Sequence, residues 1–378
     1  MQERSPLPAR FSRRRLLQAG ALAGSGWLVG CARGASSSPT LLYSRSQLPA
    51  AWGKQLPSPW RGKALEGPEA VLAQQNDADL LQLSDGWLGA LEADALQPFS
   101  SSSTASALFE QLAPFTEAVR AGFRNPLAAP EGLAAPAAAP PLAPIAYPWA
   151  FGTWVLVLRN RSDLSRRSAE GWNLLLDPSL RQQLVLPSSP RVVIELALRT
   201  LSPDTAAAGS APAATSGIDR LSAAALPGQL KRLRQQALAF DDKHGLNLLL
   251  SGDAEAAVLP SQRVLPLLRS DARLTALLPA SGSPLWWNLL LRPRQSREPA
   301  PLAWIARSME RHTLYRLLAA GWVPPVKRQL LRAALEPWPE HVARLLYPDD
   351  AVLARCTSLP PLNSADRQRY QSLWNAAA

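Results

Sequence analysis

Apolar and polar positions along the chain follow two alternating periods. Short apolar runs bounded by Gly, Pro, Asn, Asp or Ser read as strands: Thr40–Ser44, Asp79–Gly86, Pro148–Asn160, Leu184–Leu186, Gly252–Pro260, Arg273–Pro279 and Pro284–Leu291. Helical spacing predicts Gly67–Gln75, Ala105–Phe123 and a basic amphipathic helix over Leu226–Phe240. A further helix opens at Ser189-Pro190-Arg191 and runs to about Leu201, with Ser189 suited to the N-cap and Pro190 to the first helical position. Beyond Leu291 the pattern is helical to the end, broken mainly at Gly321-Trp322-Val323-Pro324-Pro325. Strands alternating with helices predict an α/β chain whose sheet is mainly parallel and flanked by helices. No internal repeat is visible, and Pro126–Pro144 and Ser202–Gly217 are Ala/Pro-rich insertions.

The run Pro284-Leu285-Trp286-Trp287-Asn288-Leu289-Leu290-Leu291 carries the densest information. Side chains alternate along a strand, so Trp286 and Asn288 share one face and Trp287 takes the other. A tryptophan with a polar neighbour two residues on suits the wall of a ligand cleft, and equally an edge strand with core tryptophans. In an α/β sheet, ligands bind beyond the carboxyl ends of strands, which is where Ser84, Asp85 and Trp87 fall.

Composition removes several function classes. Hydrophobic residues make up 47% of the 378-residue chain and charged residues 18%, a globular balance with room for two domains. The formal charge is +11, and five arginines and one glutamate of it lie in the first thirty residues, leaving +7. The remaining basic residues are scattered, without the aromatic and basic ladder of a nucleic-acid binder. Two cysteines, Cys31 and Cys356, form no disulfide framework, and His244, His312 and His341 lack metal-ligand spacing. No Gly-rich phosphate loop and no supported Ser/His/Asp set is present, so neither an enzyme nor a cofactor is expected.

The N-terminus reads as an address. Ser12-Arg13-Arg14-Arg15-Leu16-Leu17-Gln18 looks like a twin-arginine export signal, followed by an apolar run to Gly30 too short to span a membrane. Leu28-Val29-Gly30-Cys31 resembles a bacterial lipobox, in which the thiol of Cys31 takes the lipid. Residues 1–30 are then a signal peptide and 31–39 a tether, with the mature chain anchored by lipid on the extracytoplasmic side of a bacterial membrane.

Five pieces in order resemble the spermidine/putrescine-binding proteins of ABC importers, which are type 2 periplasmic binding proteins. Pro148–Thr153 is similar to that family's Pro-Tyr-x-Trp-Gly-Thr, with Trp149 and Phe151 in its aromatic places. Trp172–Pro178 resembles Trp-x-x-Leu-x-Asp-Pro, and Gly252–Leu259 resembles the Gly-Glu-Val-aliphatic strand. Gly282–Asn288 is similar to Gly-x-aromatic-Trp-x-Asp, and Gly321–Pro325 to Gly-Tyr-x-x-Pro. The resemblance covers nearly all the mature chain. It implies two α/β lobes, 40–147 with 285–310 and 148–284 with 311–378, which close on a solute and deliver it to ABC permease subunits. It places Ser84, Asp85, Trp149, Phe151, Ser189, Arg191, Trp286, Asn288 and Trp322 at the ligand.

The departures concern charge. The family pairs cleft carboxylates with ligand amines. Here Asn288 stands in place of the strand's Asp, Ser189 and Val192 replace acids at the helix start, and Pro260 replaces an aromatic. No acid lies near Tyr43–Leu48, so Asp85, Asp241 and Asp242 are the carboxylates left to meet an amine. Three outcomes stay open: a polyamine cargo, a neutral or anionic cargo on the same fold, and a lipoprotein that kept the fold without transport.

Overall fold

The computed structural model describes residues 38–91, 95–99, 102–117, 145–201 and 219–377. Arg13, Arg14, Cys31 and both Ala/Pro-rich insertions lie outside the described residues. Among the described residues ten strands run in chain order: β1 Thr40–Ser44, β2 Arg61–Leu65, β3 Leu80–Ser84, β4 Leu96–Gln97, β5 Ala146–Arg159, β6 Leu184–Leu186, β7 Ala237–Phe240, β8 Ala256–Pro260, β9 Leu274–Leu277 and β10 Leu285–Pro293. Their order is β2-β1-β3-β10-β5-β8-β6-β7, with β4 added to β10 and β9 to β5.

Two parallel groups, β2-β1-β3 and β8-β6-β7, stand at the ends of this order. Between them β10 and β5 run antiparallel to each other and to their outer neighbours β3 and β8. Strand β5 belongs to both groups, because Ala146–Thr153 pairs with β10 while Trp154–Arg159 pairs with β8 and β9. Every residue of β5 up to Leu158 is buried, so its continuous apolar run reflects cover on both faces. Helices flank the strands in a mixed α/β arrangement.

Some elements differ from the sequence pattern. Helical spacing continues from Leu226 to Phe240, yet the helix stops at Gln236 and Ala237–Phe240 pairs in parallel with Leu184–Leu186. The backbone of Leu184–Leu186 offers ladder partners at that point, and tertiary pairing overrides the local period. Of the helix expected at Ala105–Phe123, the described part is helical over Ser103–Glu110, with the Ser102 hydroxyl accepting from Ala105 N–H at 3.2 Å, and residues 118–123 lie outside the described residues. Strand β3 ends at Ser84, and Asp85–Ala90 turns in a 3-10 helix. Strand β2 gives no apolar signal because it is an exposed edge carrying Arg61 and Lys63, residues that discourage edge-to-edge pairing.

Beyond β10, the helix Arg311–Ala319 packs against the short helix Ala50–Gly53. Gln55 Nε2 donates to Thr313 Oγ1 at 3.5 Å, and Leu317 joins the apolar cluster of Trp52 and Leu41.

Candidate functional site

The carboxyl end of β3, the crossing of β5 and β10, and the break at Gly321–Trp322 converge on a cluster of tryptophans. Gly321 has φ +80°, and a Cβ there would stand 2.2 Å from Gln262 O, so only glycine fits this turn. The following Trp322 is buried, 5.1 Å by ring centroid from Trp149 and 5.9 Å, edge-on, from Trp286. Trp149 continues to Trp52 at 4.9 Å, and Trp52 stacks on Trp304 at 4.2 Å. Trp52 and Trp304 were not evident as partners in sequence, since they lie in unrelated apolar stretches, and each indole donates to the other's carbonyl at 3.1 Å.

Trp286 differs from the others because it is only partly buried and packs against two separate apolar clusters. One contains Trp52, Trp149 and Trp322, and the other contains β6 and the helix Pro190–Leu201. The Trp286 ring lies over Gly152, where a Cβ would stand 2.3 Å from Cζ2 and 2.5 Å from Cε2. Any side chain at 152 would displace the indole, so the Gly of the Trp-Ala-Phe-Gly-Thr run makes room for it.

Phe151 is fully buried but belongs elsewhere. Its ring sits 5.6 Å from Trp287, 4.9 Å from Phe115 and 5.7 Å from Tyr347, and it is not in the Trp149–Trp322 group. The separation has a local cause. The β10–β5 register shifts between Asn288 and Leu289, which pair with Ala150 and Pro148, so Trp149 is the extra residue of a bulge. A bulge re-aims its side chain and breaks the alternation that would put Trp149 and Phe151 together.

Asn288 is buried with its side chain engaged inside the protein. Its Oδ1 accepts from Gln82 Nε2 at 2.7 Å, and its Nδ2 donates to Gln47 Oε1 at 3.3 Å. Gln82 Oε1 accepts in turn from Ser44 N–H at 3.3 Å, which links the ends of β1, β3 and β10 through amides. The signal for this network was a lone Gln inside the apolar run Leu80–Leu83. Ser84, half-buried, is the register partner of Asn288.

Asp85 is buried, and its Oδ1 accepts from Trp287 N–H at 3.2 Å. Burial pushes its carboxyl up to about 7, opposed by that hydrogen bond and by the charge of Arg191. Arg191, on the first turn of the helix Pro190–Leu201, donates from Nη1 to Pro360 O at 2.6 Å and lies 5.5 Å over the Tyr370 ring. Ser189 precedes that helix, and its carbonyl accepts from Val193 N–H at 3.2 Å. The other two carboxylates weighed from sequence are turn residues. Asp241 accepts from the N–H groups of Lys243 and His244 at 2.8 Å, and Asp242 accepts from Ser188.

Of the nine residues weighed from sequence, the structure gathers Trp149, Trp286 and Trp322 in one cluster, with Ser84, Asn288 and Asp85 on the adjoining strand ends. Arg191 is tied to this region through its charge on Asp85, Ser189 precedes the same helix, and Phe151 packs apart. No group of three or more His, Cys, Asp or Glu that could hold a metal, and no helix long and apolar enough to cross a membrane, occurs among the described residues.

No protein-family model and no curated protein matches the chain. Solved structures do. The spermidine/putrescine ABC transporter substrate-binding protein of Streptococcus pneumoniae, solved with calcium and HEPES, superposes with a TM-score of 0.66 at 15% identity over 90% of this chain and 98% of that one. A putative spermidine/putrescine ABC transporter protein from Listeria monocytogenes gives 0.61 at 18% identity, covering 90% and 99%. A binding protein of A. tumefaciens in complex with glucopine gives 0.59 at 12% identity, covering 90% and 100%. The chain thus has the two-lobe fold of the type 2 periplasmic binding proteins.

Proposed function

We propose that this chain is the extracytoplasmic solute-binding component of an ABC importer, holding a solute between two lobes that close on it and delivering it to permease subunits. The observation that carries the reading is the crossing of β5 and β10. It joins two parallel strand groups, and Trp286 at the crossing packs against clusters from both sides. The lobes we assign are 40–147 with 285–310, and 148–284 with the C-terminal residues. The helix Arg311–Ala319 is the exception and goes with the first lobe, against which it packs. Binding by lobe closure is a hinge motion and requires no covalent chemistry.

Export through the twin arginines Arg13 and Arg14, with lipid on Cys31, belongs to the same proposal and rests on the sequence motif. A radiolabelled fatty acid should appear on the wild-type chain and not on Cys31→Ser.

A polyamine cargo is the second reading, favoured by the fold shared with spermidine/putrescine-binding proteins and by a buried carboxylate at the strand ends, Asp85, which accepts from the Trp287 backbone N–H. The glucopine complex shows that this fold also takes other cargo. The test is thermal unfolding of the purified full-length chain with spermidine, putrescine, amino acids, carboxylates and neutral solutes. A solute present at one hundred times its dissociation constant stabilises the folded state by about 2.7 kcal/mol. For a chain of this length that raises the midpoint by about 4 °C. Silence across the whole panel refutes solute binding and leaves the fold without transport.

A further inference from the structure

We infer that the tryptophan crossing is a subsite for a hydrogen-bond acceptor, and that the cargo carries a carboxylate there. The inference rests on the solute-binding reading and narrows it.

It stands on a contrast among buried indoles. Among the described residues four tryptophans donate their indole N–H to a protein acceptor: Trp52 to Trp304 O, Trp304 to Trp52 O, Trp172 to Gly282 O at 2.8 Å, and Trp287 to Ser358 Oγ at 3.1 Å. These are structural tryptophans with satisfied donors. Trp149 Nε1 and Trp286 Nε1 are buried with no partner. Buried donors are almost always paired, because leaving one unpaired forfeits its hydration without compensation. The two exceptions are also the two rings that flank Trp322. Thr153 Oγ1, fully buried, is unpartnered as well, and Thr153 follows Gly152, on which the Trp286 ring lies. Three orphan side-chain donors therefore occur within one short stretch of the β5–β10 ladder.

The chemistry of these groups selects the ligand. An indole N–H is donor only, so it is satisfied by a carboxylate or carbonyl oxygen and never by an ammonium, which has no acceptor. A polyamine held against these rings would leave both N–H groups unpaired. The Asp85 carboxylate already accepts from the Trp287 backbone N–H and lies under the charge of Arg191, and it partners neither indole. A net charge of +7 outside the first thirty residues and the guanidinium of Arg191 favour an anionic acceptor over a neutral carbonyl. Trp286, the partly buried ring of the three, offers an apolar face to the body attached to that carboxylate.

The test is isothermal titration calorimetry at fixed ionic strength with butyrate, 4-aminobutyrate, phenylacetate, putrescine and spermidine. It uses the full-length chain and its Trp149→Phe and Trp286→Phe variants, which keep an aromatic ring and delete the N–H. The expected result is binding of one or more carboxylates, weakened about tenfold or more in each variant, the usual effect of losing one hydrogen bond to a charged group. A variant that fails to fold does not block the test. In the wild-type chain labelled with 15N-tryptophan, two indole N–H resonances should move downfield when the carboxylate binds. Binding of amines alone overturns the inference and leaves solute binding standing. Carboxylate binding that both variants and both resonances ignore overturns it too. No binding by any probe, together with a silent thermal panel, overturns this inference and the solute-binding reading together.

Discussion

Asp85→Asn tests the electrostatics of the strand-end region most directly. The Asp85 carboxyl is raised from an ordinary 3.8 to about 7, chiefly by burial, with the Trp287 N–H bond and Arg191 pulling the other way. A carboxyl raised in the folded state stays protonated there while the unfolded chain ionises. Between about pH 4 and pH 7 the unfolded state then binds fewer protons, so stability falls as pH rises and levels off above 7. Three units at 1.36 kcal/mol each give a loss of about 4 kcal/mol across that window. Asparagine is nearly isosteric, and its Oδ1 can still accept from Trp287 N–H, so the variant should lose the titration and keep the bond. Urea unfolding at pH 5 and pH 8 should show the wild type losing about 2–4 kcal/mol relative to Asp85→Asn on going to the higher pH. Carboxylates held low by arginine do not confuse the result. Asp271, pulled down to about 2 by Arg273, loses its contribution only as pH falls below the ordinary carboxylate range. A wild type that gains stability relative to the variant between pH 5 and pH 8 would show that Asp85 is ionised and paired in the fold, and would refute this account.

Two further substitutions probe packing. Gly152→Ala places a Cβ where the Trp286 ring now lies, at 2.3 Å, and should destabilise by about 1–3 kcal/mol as overpacking does. It should also abolish any solute-induced thermal shift, because the indole must swing away. An unchanged melting temperature and ligand response would mean that Trp286 is not seated on the β5 backbone. Gln82→Leu removes the donor to Asn288 Oδ1 and the acceptor of Ser44 N–H in a fully covered site, and should cost about 2–4 kcal/mol by urea unfolding. A loss under 1 kcal/mol would show that water or Gln47 takes over both partners.

The strands were legible where burial on both faces writes a continuous apolar run, as in Ala146–Leu158 and Leu285–Leu291. They were illegible where an edge stays in water, as at Arg61–Leu65, or where a helical period runs into a paired strand, as at Ala237–Phe240. The meeting of Trp149, Trp286 and Trp322 followed from motif order, since Trp149 and Trp322 lie 173 residues apart and no local pattern joins them. Phe151 failed to join them because the bulge at Trp149 is set by register with Asn288 and Leu289, a property of two strands that neither shows alone. The same limit hid the amide chain. Gln47, Gln82 and Asn288 are each unremarkable in sequence and meet only when β1, β3 and β10 pair.

That amide chain decides what the site can hold. Where the resembled family places a carboxylate, Asn288 is neutral and its two polar atoms are taken by Gln82 and Gln47. Asp241 and Asp242 serve the turn beside Ser188 and His244. Asp85 is then the carboxylate left at the strand ends, and at neutral pH it is divided between its charged and uncharged forms. A region with the Arg191 guanidinium, a carboxyl raised to about 7 by burial and two unpaired indole donors attracts an acceptor more strongly than a cation. Binding of a polyamine would have to ionise Asp85 fully and would tighten as pH rises through 7, whereas carboxylate binding would weaken over the same interval as Asp85 ionises beside it.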